Sequence, residues 1–179
     1  MLQNYNKWKV LKVFFENPMP KDSGFQLREI SRITSLATTS VKLYLNELLK
    51  DGLVISTKHR IFTYPVYWGN IDSVEFRFLK KIDTILTIRE SGLIEYLEDQ
   101  AMPDVIILFG SASKGEDLKE SDIDLFLLCR ERKLDLSFFE NKIKKKINLL
   151  FSENFGKFSN ELKNNILNGV ILKGYLKVF

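Results

Sequence analysis

Two acidic residues, Asp122 and Asp124, lie at alternate positions where an apolar segment begins. In a β-strand alternate side chains point to the same face, so these two carboxylates are expected to lie side by side. Adjacent carboxylates repel each other and lose hydration unless a cation binds between them. Mg²⁺ is often held by one or two carboxylates together with substrate phosphates, and Mn²⁺ accepts the same oxygen ligands. The pair therefore predicts a Mg²⁺ (or Mn²⁺) site for a phosphate-bearing ligand.

Gly110 and Ser111 end an apolar run and are separated from the acidic pair by residues 112–121. Glycine lets the backbone approach a neighbour closely because it has no Cβ. Ser111 is predicted to begin a helix, whose free N–H groups would suit a phosphate. The Gly-Ser turn and the acidic pair are therefore predicted to face the same ligand.

The elements that position these residues are predicted to be buried strands. Apolar runs occupy residues 105–109 and 125–128. Continuous apolar runs of this length, bounded by turn residues, are typical of strands buried on both faces. A helix over 137–146, whose lysine-rich end is predicted to be solvated, and a third strand over 147–151 are expected to follow.

The pattern FGSASKGEDLKESDIDLFLL at residues 109–128 resembles the nucleotidyltransferase superfamily of DNA polymerase β, and most closely its minimal prokaryotic branch. The resemblance is strong over residues 104–128 and looser up to residue 179. It implies a small mixed sheet with helices, and transfer of a nucleoside monophosphate from a nucleoside triphosphate to a hydroxyl. Asp122 and Asp124 would then be the catalytic metal ligands. The implied nucleotide-binding residues are Gly110, Ser111, Lys114 and Ser121.

One position departs from the family pattern. Relatives have a third carboxylate on the next strand, which helps to hold the metals and to deprotonate the attacking hydroxyl, whereas this chain has Asn148 there. An amide oxygen can bind Mg²⁺ weakly, but the amide is neutral and cannot accept the proton. Glu153, five residues along the chain, is a candidate substitute. The resemblance therefore implies a transferase whose activity depends on what replaces this carboxylate.

Residues 1–70 predict a separate module. Apolar spacing predicts helices near residues 5–16, 27–36 and 39–50, followed by a β-hairpin around residues 53–67. Three helices followed by a hairpin are typical of a winged helix-turn-helix, and residues 27–54 resemble that motif in prokaryotic repressors. The expected fold class is therefore α+β, with an N-terminal winged helix domain and a C-terminal small nucleotidyltransferase fold.

The charge distribution makes this module a candidate for binding duplex DNA. Residues 1–70 carry ten Lys and Arg against five Asp and Glu, whereas residues 71–103 carry four against seven. On the hairpin, Lys58 and Arg60 are predicted to contact phosphates. The third helix is predicted to face a major groove with Thr39, Ser40, Lys42 and Asn46. A winged helix that only contacts proteins is the alternative.

Residues 71–103 are predicted to form a helical connector between the winged helix, residues 1–70, and the transferase, residues 104–179. Its first helix is expected to bury one apolar stripe, made of Val74, Phe78, Ile82, Ile85 and Leu86. One Cys and one His exclude an internal disulfide and a zinc site of several histidines. Because the sequence shows no membrane-length apolar run and no signal-peptide pattern, the chain is expected to be cytoplasmic, without a membrane partner.

Two other classes of function are consistent with the sequence. One is a DNA-binding transcriptional regulator whose catalytically weak or inactive transferase domain senses a nucleotide. The other is an antitoxin, because small nucleotidyltransferases of this type are often paired with a helical toxin that they bind or nucleotidylate. The expected partners are therefore a nucleoside triphosphate, duplex DNA, a toxin-like protein, and a second copy of the chain through the connector.

Overall fold

The structure is a computed structural model that describes residues 5–18, 24–59 and 63–177. Within these residues the chain forms seven α-helices and two β-sheets, which confirms the α+β class. Two compact units divide between Lys80 and Lys81, inside the segment predicted to be a connector. In the part of the chain that the structure describes, no helix is both long and apolar enough to cross a membrane.

The first unit contains three helices and an antiparallel sheet. The helices are α1 (Asn6–Glu16), α2 (Leu27–Thr34) and α3 (Thr38–Lys50). The strands are β1 (Phe25–Gln26), β2 (Val54–Lys58) and β3 (Pro65–Gly69), in the order β1-β3-β2. The predicted helices and the β2–β3 pairing are confirmed, while β1 was not predicted. The shared core is apolar and includes Val10, Phe14, Ile30, Leu45 and Leu48, all fully buried.

The long helix α4 (Val74–Ser91) follows the first sheet. The predicted apolar stripe is wrong for this helix, because Val74 and Phe78 are exposed whereas Phe76 and Ile88 are fully buried. The Phe76 ring packs edge-on against Phe15 within the first unit, with 5.2 Å between ring centroids. Ile88 belongs to the core of the second unit. Burial along α4 is therefore decided by the neighbours of each part rather than by one continuous stripe.

The second unit is built around a four-stranded mixed sheet. Its strands are β4 (Val105–Phe109), β5 (Ile123–Leu128), β6 (Ile147–Ser152) and β7 (Val170–Gly174), in the order β6-β5-β4-β7. β5 and β6 are parallel, and β4 is antiparallel to both β5 and β7. The helices are α5 (Leu93–Ala101), α6 (Ser137–Ile143) and α7 (Asn160–Leu167). The three predicted strands and the mixed sheet are confirmed.

Side chains of the central strands alternate between two apolar cores. Ile106, Leu108 and Leu125 belong to one core, and Ile107 and Phe126 belong to the other. This alternation confirms the prediction that the strands are buried on both faces. The helix predicted over 137–146 is shorter, because α6 ends where Lys144 takes a left-handed conformation with φ of 62°. The next strand, β6, starts at Ile147, which pairs with Ile123 between the two aspartates.

Candidate functional site

The pairing of three strands brings the predicted acidic residues together with Asn148. Asn148 on β6 lies opposite Asp124 on β5, and Asp124 lies opposite Phe109 on β4. Residues directly opposite each other in a sheet project to the same face. Asp122 immediately precedes β5 and is two residues from Asp124, so its side chain joins the same face.

Asn148 bridges the two carboxylates. Its Nδ2 atom donates hydrogen bonds to Asp122 Oδ2 and to Asp124 Oδ1, each 3.1 Å long. Two N–H groups on one nitrogen thus stabilise two adjacent negative charges that would otherwise repel each other. The amide nitrogen therefore stands in for a shared cation, and the predicted convergence of Asp122, Asp124 and Asn148 is present.

Gly110 provides the space that Asp124 requires. Its φ is +73°, and a Cβ added there would lie 2.5 Å from Asp124 Oδ2. Both the left-handed conformation and this close approach favour glycine over every other residue. The backbone after β4 is thus packed directly against one carboxylate of the pair.

The helix predicted to begin at Ser111 is only a 3₁₀ turn, Ala112–Lys114. Gly115 ends this turn with φ of 72°, so no α-helix follows. The turn is closed by the Ser113 hydroxyl, which donates to Gly110 O at 2.7 Å, and by the Glu116 N–H, which donates to Ser111 O at 3.0 Å. Ser111 therefore lies in a tight turn rather than at a helix N-terminus.

Of the other two predicted nucleotide-binding residues, Lys114 ends this 3₁₀ turn and Ser121 lies in a later turn. The Lys114 side chain is exposed. The Ser121 hydroxyl accepts a hydrogen bond from the Leu118 N–H at 2.9 Å, and the Ser121 N–H donates to Leu118 O at 3.1 Å. Ser121 thus closes a short turn that leads directly into Asp122.

The donors at this site fit a hard divalent cation. Asp122 and Asp124 offer carboxylate oxygens, and Asn148 can present its amide oxygen after a half-turn about its terminal torsion. Across residues 5–18, 24–59 and 63–177 no group of three or more His, Cys, Asp or Glu could hold a metal. A site with two carboxylates suits Mg²⁺, which keeps several waters and binds substrate phosphates as its remaining ligands.

Glu153 cannot replace the missing carboxylate. Asn148 pairs with Asp124, whereas Ser152 pairs with Leu128 at the opposite end of β5. The four residues from Asn148 to Ser152 span about 13 Å of strand, and Glu153 lies beyond them. Glu153 instead lines a cavity of about 650 Å³ with Asn154 and Lys163. The hypothesis that Glu153 is a substitute ligand is therefore wrong.

Two contacts near the acidic pair were not predicted. Glu140 accepts hydrogen bonds from Lys146 Nζ at 2.9 Å and from the Ile147 N–H at 3.0 Å. These bonds lower the pKa of the Glu140 carboxyl, the Lys146 ammonium having the larger effect. Lys145 forms an ion pair with the buried Asp117, so this part of the lysine run is not simply solvated. No local pattern signals that ion pair, because its partners are far apart in the chain.

The residues predicted to contact DNA lie mostly on the exposed side of α3. Thr39, Lys42 and Asn46 are exposed and Ser40 is partly exposed. The opposite side of the helix buries Val41, Leu45 and Leu48. Lys58 is exposed at the end of β2, and Arg60 lies outside the described residues.

Comparison with known proteins gives one match, and it lies within the second unit. No curated protein matched the chain. Residues 91–175 match the family model described as polymerase beta, nucleotidyltransferase. The matched segment contains the Gly-Ser turn and the Asp122–Asp124–Asn148 cluster. This match supports a nucleotidyltransferase domain of the polymerase β type at residues 91–175.

Proposed function

We propose that the second unit transfers a nucleoside monophosphate from a nucleoside triphosphate to a hydroxyl acceptor in the presence of Mg²⁺ or Mn²⁺. The observation that carries the proposal is the convergence of Asp122 and Asp124, whose carboxylates both lie 3.1 Å from one atom of Asn148. The cluster lies within the segment that matches the nucleotidyltransferase family. The residues proposed to bind the nucleotide are Gly110, Ser111, Lys114 and Ser121.

In this reaction the acceptor hydroxyl gives its proton to solvent water, its oxygen forms a bond to the α-phosphorus, the bond from that phosphorus to the oxygen bridging to the β-phosphate breaks, and pyrophosphate leaves. The bound metal would neutralise phosphate charge and lower the pKa of the attacking hydroxyl. Asp122 and Asp124 would hold and orient it. Lys114, exposed beside the Gly-Ser turn, would add positive charge to the phosphates.

Asn148 favours a second candidate function. Its amide cannot take the proton of the acceptor hydroxyl, and it adds no negative charge for a metal. A domain of this kind would bind a nucleotide with little or no transfer. The protein would then be a transcriptional regulator that senses a nucleoside triphosphate.

We further propose that the first unit is a winged helix that binds duplex DNA. α3 buries an apolar side and exposes short polar and basic side chains, as a major-groove helix does. Lys42 on α3 and Lys58 on β2 are exposed and can meet base edges or phosphates. Arg60, which lies outside the described residues, is proposed to contact phosphates together with Lys58.

The test of the nucleotide site is calorimetric titration of the full chain with each nucleoside triphosphate, with and without Mg²⁺. Asp122→Ala and Asp124→Ala each remove a negative metal ligand, so each should weaken Mg²⁺-dependent binding, and the double variant should abolish it. Asp99→Ala, which changes an exposed aspartate on α5, is the matched control and should bind as wild type. Unchanged binding by the double variant would rule out the proposed site.

A further inference from the structure

A buried ion pair joins Lys145 to Asp117 in the second unit. Lys145 Nζ lies 2.5 Å from Asp117 Oδ2, and the two side chains are 17% and 2% exposed. The neighbours Glu116 and Leu118 are exposed, so Asp117 is a buried side chain between two exposed residues. Because a buried carboxylate is costly without a partner, the ion pair with Lys145 stabilises the loop in this position.

Lys145 also holds the backbone of this loop. Its ammonium donates a second hydrogen bond to Leu118 O, 2.9 Å long. The same carbonyl accepts from the Ser121 N–H, and the Leu118 N–H donates to the Ser121 hydroxyl. One side chain is thus attached to a closed turn over residues 118–121. The residue that follows the turn is Asp122.

On its own side, Lys145 belongs to the segment between α6 and β6. The backbone carbonyl oxygen of the next residue, Lys146, accepts a hydrogen bond from the Ile123 N–H, 2.8 Å long. Asn148 lies three residues after Lys145, on β6. Lys145 therefore connects the chain segment that leads to Asp122 with the segment that carries Asn148.

We propose that Lys145 is a positioning residue for the metal–nucleotide site. Through Asp117 and Leu118 it fixes the place of Asp122 relative to Asn148, and so the separation of the oxygen atoms that bind the cation. This inference rests on the proposed nucleotidyltransferase site and deepens it. A pair with a purely structural role would stabilise the fold without changing the affinity for metal.

The test compares Lys145→Met with the double variant Lys145→Met/Asp117→Leu in the full chain. Mn²⁺ binding is measured by electron paramagnetic resonance with ATP present, and the Tm by calorimetry. Loss of a residue that orients metal ligands typically lowers metal affinity about 10–100-fold, and this loss is expected in both variants. The double variant should keep the wild-type Tm, because apolar side chains can replace a buried ion pair without loss of stability.

Two further variants serve as controls. Lys144→Met makes the same change at the neighbouring exposed lysine and should leave Mn²⁺ affinity at the wild-type value. Lys145→Arg keeps the charge and the N–H donors, so it should retain most of the affinity. Wild-type Mn²⁺ affinity in the stable double variant would show that the pair is only structural and would overturn the proposal.

A second measurement separates this inference from the proposed function. The Ser121 amide donates to Leu118 O, so hydrogen exchange at Ser121 should be faster in Lys145→Met than in wild type, with no metal added. Unchanged exchange overturns the role of Lys145. A wild-type protein that binds neither Mn²⁺ nor ATP overturns the nucleotide site, while the exchange result still decides whether Lys145 positions the loop.

Discussion

Asn148 is the residue whose chemistry matters most at the acidic pair. Its amide donates to both Asp122 and Asp124, which a carboxylate at the same position could not do. The side chain therefore lowers the repulsion within the pair in the absence of metal. If this pair binds a cation as proposed, the Asn148 amide would contribute less to cation binding than a carboxylate, because it adds no negative charge.

Asn148→Asp, at nearly unchanged side-chain volume, should increase the repulsion within the cluster and strengthen its binding of a cation. Three carboxylates would repel one another without metal, so the Tm should fall in the presence of a chelator and recover when Mg²⁺ is added. Mg²⁺ affinity should rise, and nucleotide transfer should increase by about 10²–10⁴-fold if the new carboxylate accepts the hydroxyl proton. Labelled-nucleotide transfer to RNA and protein acceptors, with wild type and mutant in parallel, measures the change in transfer rate.

The matched control is Asn164→Asp, which makes the same change at an exposed residue of α7. It should leave Mg²⁺ affinity and transfer at the wild-type level. Vigorous transfer by the wild-type protein would contradict the view that this position limits activity.

At the scale of elements, the junction between α6 and β6 sets the place of Asn148. Glu140 on α6 accepts a hydrogen bond from the Ile147 N–H at the first residue of β6. The Lys146 ammonium, which also binds this carboxylate, is the larger cause of the lowered pKa of Glu140. The start of the strand is thus held by a carboxylate whose ionised form is stabilised by the Lys146 ammonium.

The lowered pKa gives this junction a pH dependence. A carboxyl group whose folded pKa lies below its unfolded value stabilises the folded state above the unfolded pKa, and this contribution is lost as pH falls through the folded pKa. The ordinary pKa of this glutamate is 4.5. We expect protection of the Ile147 amide from hydrogen exchange, corrected for intrinsic exchange, to be full at neutral pH and to fall below that value.

Glu140→Gln keeps an acceptor for the Ile147 N–H but cannot ionise, so the acid-dependent loss of protection should disappear. Glu95→Gln, at an exposed position of α5, should behave as wild type. Equal protection of the wild-type amide on both sides of the carboxyl titration would show that Glu140 does not hold the junction.

At the scale of the whole molecule, one chain combines a basic N-terminal module with a segment, residues 91–175, that matches the nucleotidyltransferase family model. If the first unit binds duplex DNA through lysine–phosphate contacts, the affinity of the full chain should fall steeply with salt. The slope of log K against log salt changes by about 0.9 for each phosphate contact. Lys58→Ala should therefore remove about one phosphate contact and lower the magnitude of the slope by about 0.9. Fluorescence anisotropy over a salt series measures this change.

Substitutions on α3 should have a different effect. Ser40→Ala and Lys42→Ala should alter the preference among DNA sequences, because side chains in a groove contact base edges. Lys157→Ala, at an exposed lysine of the second unit, is the control and should leave the slope unchanged. A full chain that does not bind duplex DNA even at low salt would make the first unit a protein-interaction module.

The sequence by itself determined the local features of the site. The alternation of Asp122 and Asp124 and the apolar runs around them follow from the period of a β-strand, which depends only on the backbone. The apolar spacing that predicts α1 and α3 is local in the same way. The stripe along α4 was predicted incorrectly, because which side of a helix is buried depends on the elements that pack against it.

Only the tertiary structure decided the contacts between distant segments. The bridge from Asn148 to both carboxylates, the contact of Gly110 with Asp124 and the ion pair of Lys145 with Asp117 all join residues that no spacing rule connects. Glu153 was excluded for the same reason, since it follows Ser152, which strand register places at the end of β6 remote from Asn148. Spacing along the chain determines which way a side chain points, whereas the pairing of strands and loops determines which other side chains it meets.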